Sequence, residues 1–278
     1  MGTSPPGNRQ DHLHDVEDST VRRTYGVPPL WRFLLRTLRL LVPLFCRLRV
    51  TGTLPEHLVN GPVVLVSNHI GTFDPFTLIA ACARIGAAPR FLATAGLFRA
   101  PVFGAIMRRS GHIRVDRGSH TVTGALQRAG DALNDGSVVV LYPEGRITLD
   151  PGMWPERAKT GAARLALATG APVVPVAQWG AHEIMAYDRP GHMAATLISA
   201  IWRRPVAKVH FGEPVDLSDL PTDSPRSARV AAERMSSRIL DDLVRLRPDE
   251  PVMPRHVDRF RPLSTARTFR ARSTTDAD

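Results

Sequence analysis

The chain has 278 residues, 43% of them hydrophobic, with 36 Lys and Arg against 26 Asp and Glu for a net charge of +10. That length and apolar content allow one sizeable core, and nothing in the middle of the chain reads as a linker. The two cysteines, Cys46 and Cys82, make neither a disulfide framework nor a metal set, which suits a reducing cytoplasm.

Lys159 and Lys208 are the only lysines, so the basic character is almost all arginine. Such a surface favours anionic partners: nucleic acid, acidic lipid or phosphorylated small molecules. Residues 1–27 are polar, with Asp11, Asp15, Glu17 and Asp18 close together, and are expected to be disordered. Arg22-Arg23 superficially suggests a twin-arginine export signal, but arginines repeatedly interrupt the apolar stretch that follows, so export is rejected.

Residues 28–50 read as a short basic amphipathic helix. Arg32, Arg36 and Arg39 fall at i, i+4 and i+7 and share one face, while Trp31, Leu34, Leu35, Leu38, Leu41 and Val42 cover much of the rest. The longest uncharged run is far below the roughly 18–20 residues needed to span a bilayer. Two readings stand together: a helix lying in a membrane surface, and a helix packed on the domain with its arginines in solvent.

Residues 62–66 (PVVLV) form an apolar run bounded by turn residues and read as a buried strand. They lead into SNHIGTFDPF at 67–76 and an expected helix over 77–85. Asp74-Pro75 looks like the helix start, with a capping carboxylate followed by proline at the first helical position. His69 would then leave the carboxyl end of a strand, where sites in open α/β sheets sit. Asp74, five residues later, could turn back to the imidazole. A carboxylate on one ring nitrogen selects the tautomer whose other nitrogen is a free base. His69 and Asp74 are thus a candidate proton-abstracting dyad without a protein nucleophile.

Further strands are expected at 89–95, 111–117, 137–142, 171–178 and 205–211, with helical segments at 99–109, 121–133, 159–169 and 224–247. The stretch SVVVLY at 137–142 is uniformly apolar and β-branched, the mark of a central strand buried on both faces. Alternating strands and helices predict an α/β fold, a two- or three-layer sandwich around a mostly parallel central sheet. From about residue 248 the periodicity fails. Six arginines over 255–272 against the single acid Asp258 suggest a flexible basic tail, solvated or held by anionic lipid.

Four stretches now stand in order: NHIGTFD at 68–74, GHIRVDR at 111–117, YPEGRIT at 142–148 and VVPVA at 173–177. In order and spacing they resemble the glycerolipid acyltransferase family, which includes bacterial 1-acylglycerol-3-phosphate acyltransferases. That family carries Asn-His-x4-Asp, a segment ending in a basic residue, Phe-Pro-Glu-Gly-Thr-Arg-Ser, and an apolar segment around a proline. The resemblance covers roughly residues 45–215. It implies acyl transfer from acyl-CoA or acyl carrier protein to a lysophospholipid, with Glu144 in acceptor binding and Lys159 touching phosphate. Arg117 and Arg146 are the best phosphate-binding cations, since guanidinium binds phosphate in a bidentate manner and keeps its charge. Gly145 permits close backbone approach, and the Gly71 turn and Asn68 are candidate donors to the developing oxyanion. Two departures stand out. Arg146 follows glycine directly, and Thr94 occupies a place where relatives often carry a phosphate-binding lysine, which weakens the case for lysophosphatidic acid itself.

The expected organisation is a disordered N-terminus at 1–27, a basic helix at 28–50, an acyltransferase domain at 51–247 and a basic tail at 248–278. The expected protein is a peripheral enzyme of phospholipid biosynthesis at the cytoplasmic face of an anionic cell membrane, needing no metal or cofactor beyond its acyl-donor co-substrate. His12 and His14 lie in the polar N-terminus, and His182-Glu183 lacks a second spaced histidine for a metal. No Gly-x-Ser-x-Gly elbow supports a serine hydrolase, and no motif supports nucleic-acid binding. Alternatives are another acceptor, such as glycerol 3-phosphate or a glycosylated phosphoinositide, and a non-catalytic basic lipid-binding protein.

Overall fold

The computed structural model describes residues 26–116, 119–186 and 190–248. The expectations for the N-terminus before residue 26, for Arg117 and for the tail beyond residue 248 lie outside the described residues. In chain order the elements are α1 (Pro29–Phe45), β1 (Arg47–Thr51), α2 (Glu56–Val59), β2 (Val63–Ser67), α3 (Asp74–Arg84), β3 (Pro89–Thr94), α4 (Ala95–Arg99) and α5 (Pro101–Arg109). There follow β4 (Ile113–Val115), α6 (Ser119–Asn134), β5 (Val138–Leu141), α7 (Gly161–Thr169), β6 (Val173–Trp179), α8 (Pro190–Arg203), β7 (Val206–Phe211) and α9 (Pro225–Leu246).

The seven strands form one sheet in the order β1-β7-β6-β2-β5-β3-β4. Every neighbouring pair is parallel except β6 with β7. Strands β2 and β5 lie at the centre, and every residue of each is buried, as their unbroken Val and Leu runs require. Successive side chains point to opposite faces. Val63 and Leu65 join the core beneath α1 and α3, whereas Val64 and Val66 join the core beneath α6, α7 and α9. The result is a three-layer α/β/α sandwich.

Three local expectations are corrected. The first helix ends at Phe45, and Arg47–Thr51 is an edge strand paired in parallel with β7. Its charged residues Arg47 and Arg49 face solvent while Leu48 is buried, the alternation of an edge strand. Helix α1 also docks on the domain through buried Trp31, Leu35 and Val42, and the Trp31 indole donates to the carbonyl of Pro89. Second, Asp74 is the first residue of α3 rather than its cap. Phe73 takes the cap position, which frees the Asp74 carboxylate to turn back. Third, α8 was not anticipated, although His192, Thr196, Ser199 and Arg203 recur at i, i+4, i+7 and i+11 and set a helical period. No helix among the described residues is long and apolar enough to cross a membrane.

Candidate active site

The turn after β2 is built by side chains standing in for backbone. Asn68 Nδ2 donates to the carbonyl of Gln178 at 2.9 Å, and its Oδ1 accepts from the Gln178 amide at 2.8 Å. This exchange prolongs the β2–β6 ladder by one residue. The Gln178 side chain donates to Ser67 Oγ and accepts from Thr77 Oγ1, tying strand, turn and α3 together. His69 follows with both backbone groups fixed: its N–H donates to Glu144 Oε1 at 3.1 Å, and its carbonyl accepts from the Thr148 amide at 2.7 Å.

Asp74 is fully buried, and one oxygen organises the whole turn. Oδ2 accepts from His69 Nδ1 at 2.8 Å, from the Ile70 amide at 2.6 Å and from the Gly71 amide at 2.9 Å. A carboxylate offers only acceptors, so Nδ1 carries the proton and Nε2 presents a lone pair. The imidazole stacks on Tyr142, with centroids 4.0 Å apart and planes 17° from parallel. It keeps 16% of its side-chain surface exposed. Burial pushes the Tyr142 hydroxyl well above its ordinary pKa, so this ring supports His69 as a neutral plate. The ring can neither flip away from Asp74 nor swing off its support without breaking these contacts.

Residues 142–161 form the opposite wall. Gly145 has φ +71°, a left-handed backbone that favours glycine, and a Cβ there would stand 2.9 Å from the Lys159 ammonium and push that flexible side chain aside. Glu144 is buried, and its second oxygen accepts from the Glu156 amide at 2.9 Å. Desolvation raises its pKa to about 8, outweighing the two amide bonds that pull the other way. Arg146 grips Glu156 in a fork, Nε and Nη2 lying 2.9–3.1 Å from the carboxylate oxygens.

Two comparisons of sequence bear on this arrangement. Residues 47–179 match the family model described as Acyltransferase. That match covers just under half of the chain. The chain is 30% identical over 157 residues to a chloroplastic 1-acyl-sn-glycerol-3-phosphate acyltransferase of Brassica napus, covering 56% of this chain and 43% of that one. It is 31% identical over 148 residues to a 1-acyl-sn-glycerol-3-phosphate acyltransferase of Chlamydomonas reinhardtii, covering 50% and 42%. The match therefore spans less than half the length of either relative. Among solved structures, the fold is similar to PlsC, the 1-acyl-sn-glycerophosphate (LPA) acyltransferase from Thermotoga maritima. That likeness has a TM-score of 0.55 at 20% identity and covers 77% of this chain and 80% of that one.

Within the matched residues 47–179 the structure sorts the expected site residues. His69, Asp74, Glu144, Gly145, Arg146 and Lys159 converge at the carboxyl ends of β2 and β5. Their parts differ from expectation in four ways. Asn68 is buried with both amide atoms committed to Gln178, so it holds the turn instead of donating to an oxyanion. The Gly71 amide is likewise committed, to Asp74. Glu144 accepts from the backbone amides of His69 and Glu156, one on each oxygen, and so braces the turn. Arg146 has its charge paired by Glu156, leaving Nη1 as the nitrogen outside the fork. The Lys159 ammonium has no partner among the described residues. Three contributors were missed. Gln178 could have been found as the one polar residue in the otherwise apolar VVPVAQW. Tyr142 lay inside a quoted motif, while Glu156 sat in a loop with no periodic signal. Among the described residues no group of His, Cys, Asp and Glu is arranged to hold a metal ion.

Proposed function

We propose that the chain is a lysophosphatidic-acid-type acyltransferase of glycerolipid synthesis, moving a fatty acyl group from an acyl-CoA or acyl carrier protein thioester to the hydroxyl of a lysophospholipid. The observation that carries the reading is the His69–Asp74 pair, fixed so that Nε2 is a base at the open carboxyl edge of the sheet. Nε2 takes the acceptor's hydroxyl proton as the oxygen attacks the thioester carbonyl. Asp74 stabilises the imidazolium that forms. The tetrahedral intermediate collapses, the C–S bond breaks, and the departing thiolate takes the proton back from Nε2. Products are the ester and the free thiol.

The surroundings favour direct transfer over an acyl-enzyme. Ser67 Oγ is buried and engaged by Gln178 and the Asn68 carbonyl. Both cysteines are buried, with the Cys46 thiol pushed up to about 11 and Cys82 higher, so neither supplies a thiolate. Lys159 is the cation best placed for the acceptor phosphate, and Arg146 Nη1, outside the fork with Glu156, is a second candidate. Thr94, in place of a lysine, favours an acceptor with a different head group, such as another lysophospholipid or glycerol 3-phosphate. The working place is a membrane surface at its cytoplasmic face, since the acceptor class lives there.

Purified protein offered labelled acyl-CoA with lysophosphatidic acid, glycerol 3-phosphate and other lysophospholipids tests this. Transfer to one acceptor should fall about 10²–10⁴-fold in His69→Ala. Transfer that survives that substitution, or that occurs with none of these acceptors, would overturn the proposal.

A further inference from the structure

Asp74 organises the turn with one oxygen and leaves the other idle. Oδ2 takes three donors, whereas Oδ1 is buried with no hydrogen-bond partner among the described residues. A buried carboxylate oxygen without a donor is costly, so a hydroxyl placed beside it acquires a role.

Tyr142 supplies such a hydroxyl. Its ring lies under the His69 imidazole, centroids 4.0 Å apart, and the oxygen at its far end is buried. Two neighbours act on that oxygen: the Asp74 charge disfavours the phenolate, and the Gln178 side chain favours it. Gln178 therefore meets the oxygen as a donor, which leaves the hydroxyl proton for another acceptor. The amide oxygen of Gln178 already accepts from Thr77 Oγ1. A carboxylate is the better acceptor, because bonds to an ionised oxygen are the stronger ones. In YPEGRIT the tyrosine stands where the Phe-Pro-Glu-Gly pattern has phenylalanine, so the hydroxyl is this chain's own addition.

We propose that Tyr142 is a positioning residue of the His69–Asp74 pair, its ring carrying the imidazole and its hydroxyl turned onto Asp74 Oδ1. The carboxylate then divides its charge between the imidazole at one oxygen and the phenol at the other. Asp74 holds the imidazolium less tightly than it would alone, and His69 returns its proton to the departing thiolate more readily. That consequence rests on the proposed acyl transfer; the pairing itself does not.

Charged and titratable groups reach the pair from every packed element. Cys82 comes from α3, Glu144, Lys159 and the Arg146–Glu156 fork from the opposite wall, and His182 meets the turn at Gly71. Glu144, at about 8, titrates within the range of the test and has to be removed as a variable.

The test is Tyr142→Phe, which keeps the stacked ring and deletes the hydroxyl, made in wild type and in Glu144→Gln. NMR of the full chain with isotope-labelled histidine follows the His69 ring against pH without substrate, assigned by its loss in His69→Gln. In Tyr142→Phe the titration should move to higher pH by roughly 0.5–1, in both backgrounds. A ring-fluorinated tyrosine at the same position, a stronger donor, should move it the other way. In the acyl-transfer assay the acid limb of kcat/KM should follow the ring, with the acceptor's KM unchanged. A titration that stays put or moves downward in Tyr142→Phe overturns the proposal. So does a shift confined to Thr72→Val, since Thr72 Oγ1 is buried without a partner in the same turn and would then be the donor. A protein whose ring shifts as expected yet transfers no acyl group refutes the reaction and upholds the pairing.

Discussion

Glu144 is a buried acid whose two oxygens accept one amide each, from His69 and from Glu156. Its folded pKa of about 8 lies above the ordinary 4.5, so the native state binds more protons than the unfolded chain between those values. Stability should therefore fall as pH rises from about 5 to 8, the opposite of the common carboxylate behaviour. Denaturant midpoints measured across that range would show the slope. In Glu144→Gln the slope should flatten, while stability at pH 5 drops by about 1–3 kcal/mol because the carboxamide nitrogen cannot accept the second amide. Asp74→Asn should lower kcat by about 10²-fold or more with little change in KM, since an amide nitrogen facing Nδ1 disfavours the tautomer with a basic Nε2. The identity of these residues was legible in the sequence, because His69 and Asp74 flank a strand-to-helix turn. Their partners were not. That Glu144 braces two backbone amides cannot be read from its letter and is shown only by its distances to them.

At the scale of elements, the glycine after Glu144 joins geometry to chemistry. Gly145→Ala would strain the left-handed backbone and displace the Lys159 side chain. We expect a loss of about 1–3 kcal/mol in stability and a raised KM for the acceptor, measured by thermal unfolding and steady-state kinetics. A second brace lies behind the turn. Arg247, at the end of α9, sits between the rings of Trp179 and Trp154 at 3.6 and 3.9 Å and donates to the carbonyl of Gly152. It thereby ties α9 to the loop whose Thr148 and Glu156 hold the site. Arg247→Ala should cost about 2–4 kcal/mol, and its Lys substitute should recover little, because an ammonium cannot lie flat between two indoles. Strands β2, β5 and β6 were readable because burial on both faces removes polar residues from their runs. Strand β1 was misread because an edge strand with alternating arginines looks like the continuation of a basic helix. Helix α8 was legible in the stripe of His192, Thr196, Ser199 and Arg203, but it lies outside every motif and was missed.

Over the whole molecule, the net charge of +10 rests almost wholly on arginine, and α1, α4, α5 and α8 carry arginines with no Asp or Glu. Vesicle association should weaken as salt is raised, with the loss concentrated in the on-rate, which stopped-flow mixing at two ionic strengths would read. The fold class was legible from alternation of strands and helices alone, but strand order was not, since nothing local announces that β7 runs against β6. That one inversion has a geometric outcome. Strands β7 and β1 both begin at the rim where the other five end, so the segments feeding them, α8 and α1, must deliver the chain to that rim. A uniformly parallel sheet would have sent both oily helices to the far side, away from His69. The reversed edge of the sheet thus acts as a router, bringing the carboxyl ends of two greasy helices to the rim that holds His69.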